Sequence, residues 1–198
     1  ANYNTFVGAW SGDAITIAGY NTAVGFQSLS AASDASFNSV FGHQAGKEIT
    51  SGTSNTLMGA YVGLSLTTGG YHVLIGTQAG QKLTGGNYTT HVGYRASRYN
   101  TAAYNTSLGH GALLGVNGSS TGGQNVAVGY NALTALTTGI QNTIVGSYAG
   151  DAVTSGNYNT FLGSGAGGAI TTGGQNTFVG RNVGTGADDA NFCVGIGD

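Results

Sequence analysis

Four histidines, His43, His72, His91 and His110, and seven carboxylates, Asp13, Asp34, Glu48, Asp151, Asp188, Asp189 and Asp198, are the side chains here that could hold a metal or move a proton. Imidazoles repeated down a ladder would suit a transition metal, and two carboxylates about 5–10 Å apart would suit glycoside hydrolysis. The spacing assembles neither. His43 and His110 directly follow a recurring glycine while His91 precedes one by two residues, so no common face gathers the histidines. Were an ion held, His91 on a threefold axis would be the ligand, because symmetry would bring three imidazoles together. Asp13 and Asp151 occupy equivalent turn positions and read as solvated, and Asp188 and Asp189 are adjacent and diverge. The single cysteine, Cys193, permits no internal disulfide. No catalytic residue, metal site or cofactor is expected, and the chain reads as a non-enzyme.

Aromatic residues are the better lead. Trp10, Phe26, Tyr61, Tyr94, Tyr130 and Tyr148 follow recurring glycines by one or two positions, and Tyr3, Tyr20, Tyr71, Tyr88, Tyr104 and Tyr158 shortly precede the next block. Exposed Tyr and Trp offer a flat apolar face with a polar edge, which suits sugar rings. The stretch from Tyr94 to Gly123 breaks the regular spacing and carries Arg95, Arg98, Tyr99, Tyr104 and the Asn117-Gly-Ser-Ser loop. Trp10, Tyr94, Arg95, Arg98, Tyr99 and Tyr104 are therefore the expected contacts for a glycan or protein receptor.

What must position these residues is a repeat. A block of the form Asn-Thr-x-aliphatic-Gly ends at Gly8, Gly25, Gly42, Gly59, Gly76, Gly93, Gly109, Gly129, Gly146, Gly163, Gly180 and Gly195. The spacing is 17 five times, then 16, 20, 17, 17, 17 and 15. The 198 residues thus form one repeat domain, regular over 1–93, irregular over 94–124 and regular again over 125–198. Composition agrees: 38 glycines disfavour helices, at about 1 kcal/mol per helical position relative to Ala, and the absence of proline and of a G-X-Y period excludes collagen. Five basic residues argue against binding nucleic acid through a charged face. No apolar run of about 18 residues would insert in a membrane.

Seventeen residues suit one coil of two short strands and two turns, stacked in parallel register into an elongated all-β parallel solenoid, or β-roll, of about twelve coils. The second strand is expected around Ile15, Ile49, Leu66, Leu83, Leu136, Val153 and Ile170, and a small interior residue at Ala45, Ala79, Ala149 and Ala166. Asn4, Asn21, Asn38, Asn55, Asn142, Asn159 and Asn176 should bond turn backbone and one another. The middle block residue is apolar in ten of twelve blocks, Phe6, Ala23, Val40, Leu57, Leu74, Ala127, Ile144, Phe161, Phe178 and Cys193, with His91 and Ser107 the exceptions. Placed outward, these residues form a stripe that a second copy would cover, and three rods around an axis would bury three such stripes. Thr5, Thr22, Thr56, Thr143, Thr160 and Thr177 then share the inner face with Val7 and its equivalents, so no solvent-facing threonine array of the kind an ice-binding solenoid needs is expected.

The blocks Asn21-Thr-Ala-Val-Gly25, Asn125-Val-Ala-Val-Gly-Tyr-Asn-Ala-Leu133 and Gln141-Asn-Thr-Ile-Val-Gly146 resemble the glycine-rich repeats of bacteriophage tail fibres and, more loosely, the β-roll of trimeric autotransporter adhesin heads. The resemblance spans essentially the whole chain. It implies a homotrimeric, non-enzymatic fibre of the virion tail that recognises a host cell surface. A bacterial trimeric surface adhesin or extracellular filament is the alternative, ahead of an ice-binding solenoid or a polysaccharide-degrading spike. The repeat running to both ends implies a piece of a longer fibre.

Overall fold

A computed structural model describes residues 3–186 and 189–197, so Asp188 and Asp198 lie outside the described residues. Its strands are β1 (Thr5–Val7), β2 (Thr22–Val24), β3 (Ser39–Phe41), β4 (Thr56–Met58), β5 (Val73–Ile75), β6 (Thr90–Val92), β7 (Thr106–Leu108), β8 (Val126–Val128), β9 (Thr143–Val145), β10 (Thr160–Leu162), β11 (Thr177–Val179) and β12 (Val194–Ile196). All twelve form one parallel sheet in chain order. Register is fixed throughout, with Thr5 opposite Thr22 and Phe6 opposite Ala23 at one end and Phe161 opposite Phe178 near the other. The protein is an all-β parallel solenoid of about eleven full turns between twelve strands, with no helix among the described residues.

Each turn contains one strand rather than two. The arc around Ile49, Leu66 and Leu83 is buried as expected, yet it runs through turns and bends. It needs no extended backbone, because it bonds from turn to turn directly: Thr50 N–H donates to the Thr67 carbonyl at 2.9 Å and Thr67 N–H to the Thr84 carbonyl at 2.9 Å. The threonine hydroxyls follow the same line, Thr67 Oγ1 donating to the Thr84 carbonyl at 2.7 Å.

Glycine ends every strand for a steric reason. At Gly8, φ is +124°, and a Cβ there would sit 2.5 Å from the Gly25 carbonyl oxygen of the next turn. The left-handed region also recurs at non-glycine residues, as in Tyr71 (φ 61°) and Phe37 (φ 60°), a conformation that costs about 1–2 kcal/mol for an L residue. Bonds between turns offset it: Phe37 N–H donates to the Gly19 carbonyl at 3.1 Å and Tyr71 N–H to the Thr53 carbonyl at 3.0 Å.

The middle strand residue points inward. Ala23, Val40, Leu57, Leu74, Ala127, Ile144 and Phe161 are fully buried, Phe178 nearly so, and Phe6 packs on the same core. The expected intersubunit stripe is therefore the chain's own interior. A packing rule explains why it can be. Except at His91, which is followed by Ser97, the residue six positions after the middle one is Gly when that residue is large, as in Leu57 with Gly63 and Phe161 with Gly167, and Leu when it is small, as in Ala23 with Leu29, Ser107 with Leu113 and Ala127 with Leu133. One bulky side chain fills the space these two positions share, since close packing there leaves room for no second. A Cβ on Gly167 would overlap the Phe161 ring.

Asparagine closes the interior. Asn38 donates its backbone N–H to Asn21 Oδ1 at 3.0 Å, donates from Nδ2 to the same oxygen at 3.1 Å, and donates from Nδ2 to the Gly52 carbonyl at 2.9 Å. The ladder runs Asn4 to Asn55, passes through His72 and Thr89, and resumes at Asn105. In the last turn Cys193 takes the asparagine place, its N–H donating to Asn176 Oδ1 at 3.0 Å, and Gly195, not Cys193, lies opposite Phe178. The terminal glycine of that block is thus Gly197, with φ +149°, which restores the 17-residue spacing; exposed Cys193 belongs to no stripe. The insertion near 115–120 folds back on Ser120, whose Oγ donates to the Leu136 carbonyl at 2.6 Å.

Candidate functional site

With the middle residue inside, the flanking strand residues face out. One column runs Thr5, Thr22, Ser39, Thr56, Val73, Thr90 and on to Thr177, and the next runs Val7, Val24, Phe41, Met58, Ile75, Val92 and on through Leu162 to Ile196. The second column is apolar at all twelve strands and exposed at Val7, Met58, Leu108 and Leu162. A solvent-facing threonine column therefore exists, contrary to the inward placement expected from the sequence.

Two aromatic ladders accompany these columns. In the one just before the asparagines, Tyr3, Tyr20 and Phe37 stack at 5.1 and 4.9 Å, and Tyr71, Tyr88 and Tyr104 at 5.1 and 5.9 Å. The other follows the block glycines: Trp10, Phe26, His43 and Tyr61 form one run, and Tyr94, His110, Tyr130 and Tyr148 another, with centroids 5.0–5.2 Å apart. Stacking has a chemical consequence. In the first ladder, where every contact is stacked, a ring between two rings has both faces covered and shows its edge to solvent; in the second, Trp10 with Phe26, His43 with Tyr61 and Tyr130 with Tyr148 meet edge to face.

The six expected contact residues do not converge on one patch. Trp10 lies five turns from Tyr94, about 24 Å along the rod, and Tyr104 caps the other ladder. Tyr94 and Arg95 do pair, with the guanidinium 4.9 Å from the ring centroid, as do Arg98 and Tyr99 at 4.7 Å. Both arginines are tied to the preceding turn, Arg95 Nε donating to Gln78 Oε1 at 3.0 Å and Arg98 Nε to Gln81 Oε1 at 2.7 Å.

The titratable groups are dispersed. His43 and His110 are members of an exposed ladder. His91 is wholly buried and shares a hydrogen bond between Nδ1 and Ser107 Oγ at 2.9 Å, so it cannot meet symmetry copies on an axis. His72 shares one with Thr89 Oγ1 at 2.8 Å. Burial lowers both, to about 4 for His72 and about 3 for His91, the latter also by proximity to His72. Asp189 is held below the usual carboxylate range by bonds from Thr172 and Thr171, and burial raises Asp151. Among the described residues no three His, Cys, Asp or Glu side chains are grouped to hold a metal ion. The outer columns, the ladders and the gaps in the ladders are thus the surfaces available for function. No family model, curated protein or solved structure matches this chain.

Proposed function

We propose that this chain is a rigid segment of a viral tail fibre that contacts a host cell surface, assembled as a homotrimer through the outer face of its sheet. The observation carrying this is the unbroken apolar column from Val7 to Ile196 beside the threonine column. Twelve strands at about 4.8 Å make a strip roughly 53 Å long; at about 10 Å wide it offers on the order of 500 Å² per copy. Three copies would bury roughly 1,500 Å² in all, about 500 Å² at each of the three contacts, small for a single specific interface but continuous along the whole rod. Trimerisation through this face replaces the middle-residue stripe as its physical basis. A trimer also repeats any weak surface contact three times, giving avidity without a tight single site.

Sedimentation velocity tests the assembly: the chain should run as a trimer, and Val145→Asp with Leu162→Asp should run as a folded monomer. A monomeric unsubstituted chain overturns the trimer. The outward threonine column favours one second reading, an ice-binding solenoid, in which the array contacts a crystal rather than another copy. Thermal hysteresis in the unsubstituted chain, lost on Thr143→Tyr, would establish that reading in place of the fibre.

A further inference from the structure

Charge is scarce on this rod, five basic and seven acidic side chains in 198 residues, yet Lys82, Arg95 and Arg98 fall in two adjacent turns. Arg95 and Arg98 leave the same arc. Arg98 N–H donates to the Arg95 carbonyl at 3.2 Å, which closes a four-residue turn and keeps their Cα atoms within about 7 Å. Ala96 and Ser97 between them are buried, so both half-buried arginines emerge on the outer side of the arc. That side faces away from the sheet surface assigned to assembly, because the arc lies across the interior from the strands: at Gly80, the place of Ser97 one turn earlier, a Cβ would sit 3.1 Å from Leu74 Cδ1. Gln78 and Gln81, which hold the two guanidiniums by their Nε–H groups, are spaced in the same way, Gln81 N–H donating to the Gln78 carbonyl at 3.3 Å. The two arms therefore run parallel, with one gap between them. The exposed Lys82 adjoins them, its N–H donating to the Arg98 carbonyl at 3.0 Å.

We infer that Lys82, Arg95 and Arg98 form a binding site for the oxyanion of an acidic surface glycan, a sugar carboxylate or a sugar phosphate. Each glutamine ties down a guanidinium through one N–H and takes none of its charge, which leaves four of the five N–H donors for a ligand. Arms already fixed lose little freedom on binding, and charge-assisted bonds of about 2.8 Å reach one oxyanion from both sides of the gap. Among the described residues the nearest carboxylates on these columns are Glu48, two turns before Lys82, and Asp151, three turns after Arg98. They stand about 10 and 14 Å away along the rod, at or beyond the screening length, so the patch keeps its charge. Three cations confined to two turns suit a single acid group rather than the row of phosphates of a nucleic acid. The rim is polar: the Gln78 amide, the Tyr99 hydroxyl and, over Gly111 in the next turn, the Asn131 amide. Such a rim offers partners to sugar hydroxyls, whereas a protein partner would need an apolar pocket for its anchor residue. The site rests on the fibre reading for its biological purpose and names the ligand class that reading leaves open.

The test is a titration of the full chain with methyl β-D-glucuronide, glucosyl phosphate, methyl β-D-glucoside, N-acetylglutamate amide and inorganic phosphate. It is read by NMR at the Tyr94 and Tyr99 rings and at the Arg95 and Arg98 Nε–H groups. At least one of the two sugar acids should shift both arginines and saturate in the millimolar range, and the stronger of the two identifies the acid group. The neutral glucoside should bind at least tenfold more weakly, and the two sugarless acids at least threefold more weakly. Arg95→Gln with Arg98→Gln should weaken the sugar acid at least tenfold. Lys82→Gln, at an exposed position that leaves both arms in place, should weaken it a few-fold, and Arg98→Lys, which keeps the charge but not the fork, should also weaken it, though less than the double variant does. Binding of the neutral glucoside or of a sugarless acid as tight as that of the sugar acid, or sugar-acid binding unchanged in the double glutamine variant, overturns the site. Sedimentation keeps the two ideas apart: a chain that runs as a monomer yet binds a sugar acid sinks the fibre reading alone, and a trimer that binds neither sugar acid sinks the site alone.

Discussion

The interior divides into two apolar halves and a polar waist. One half is lined by Ala23, Leu29, Val40, Leu57, Leu66, Leu74 and Leu83, the other by Leu113, Ala127, Leu133, Ile144, Phe161 and Ile170. Between them the buried side chains are mostly polar, His91, Ser97, Asn100, Asn105, Ser107 and Ser120 beside the small Ala96. Strand pairing runs through the waist without a break, Leu74 opposite His91 and His91 opposite Ser107. Backbone bonds between turns therefore set the register, and the side chains inside decide how much stability each turn adds. The waist also leaves His72 Nε2, His91 Nε2 and Ser97 Oγ buried with no partner, a cost of about 1–3 kcal/mol per group where it is not relieved.

The largest effect should come from breaking an apolar half where it is fullest. Phe161→Ala empties the space facing Gly167, and should cost about 3–5 kcal/mol of unfolding free energy measured by denaturant titration. Gly167→Leu alone should also destabilise, because its Cβ would overlap the Phe161 ring. Together the two substitutions recreate the pairing of Ala127 with Leu133, and the double variant should recover at least half of the loss. Simple additivity of the two penalties would disprove the one-bulky-residue rule.

That rule shows what was legible in the sequence. The period, the asparagine ladder, the small residue at Ala45, Ala79, Ala149 and Ala166 and the later aliphatic all follow from residue type at fixed spacing, and beyond the half-buried Asn4 and Ile15 of the first turn these side chains are buried where expected. The direction of the three-residue strand was not. Alternation separates Phe161 from Thr160 and Leu162 but does not say which side is inside, because both sides are rich in β-branched and apolar residues. The exchange of size between positions six apart would have decided it, since only residues sharing one confined volume need to compensate. The absence of a second strand was illegible for another reason: residues such as Thr50 and Thr67 bond to the next turn without an extended backbone.

The waist should reveal itself through pH. His72 and His91 stay neutral in the fold, with values of about 4 and about 3, against about 6.5 in the unfolded chain. Stability from keeping them neutral is whole above about pH 6.5. It falls as acid protonates the unfolded state, by about 2 kcal/mol per histidine at about pH 5, and levels only below the folded values. Replacing His91→Leu together with Ser97→Gly installs the arrangement of Leu74 with Gly80. It should raise stability at neutral pH and roughly halve the acid loss measured by urea unfolding. An undiminished pH slope would mean that His91 is not buried neutral.

The smallest effect belongs to the outer face, and its smallness is informative. Leu162 is adjacent to Phe161 in the same strand but 48% exposed. Truncating it to alanine removes three carbons that were already half in water, so unfolding at low protein concentration should change by less than about 1 kcal/mol. The same substitution should weaken self-association several-fold, because the outer column has its partner only in the assembled state. Inner and outer neighbours on one three-residue strand would then differ in kind: Phe161 governs whether a turn folds, and Leu162 governs what the folded rod holds on to. If Leu162→Ala instead lowers the stability of the dilute monomer by as much as Phe161→Ala does, the outer column is part of the folding core and the surface assigned to assembly is lost.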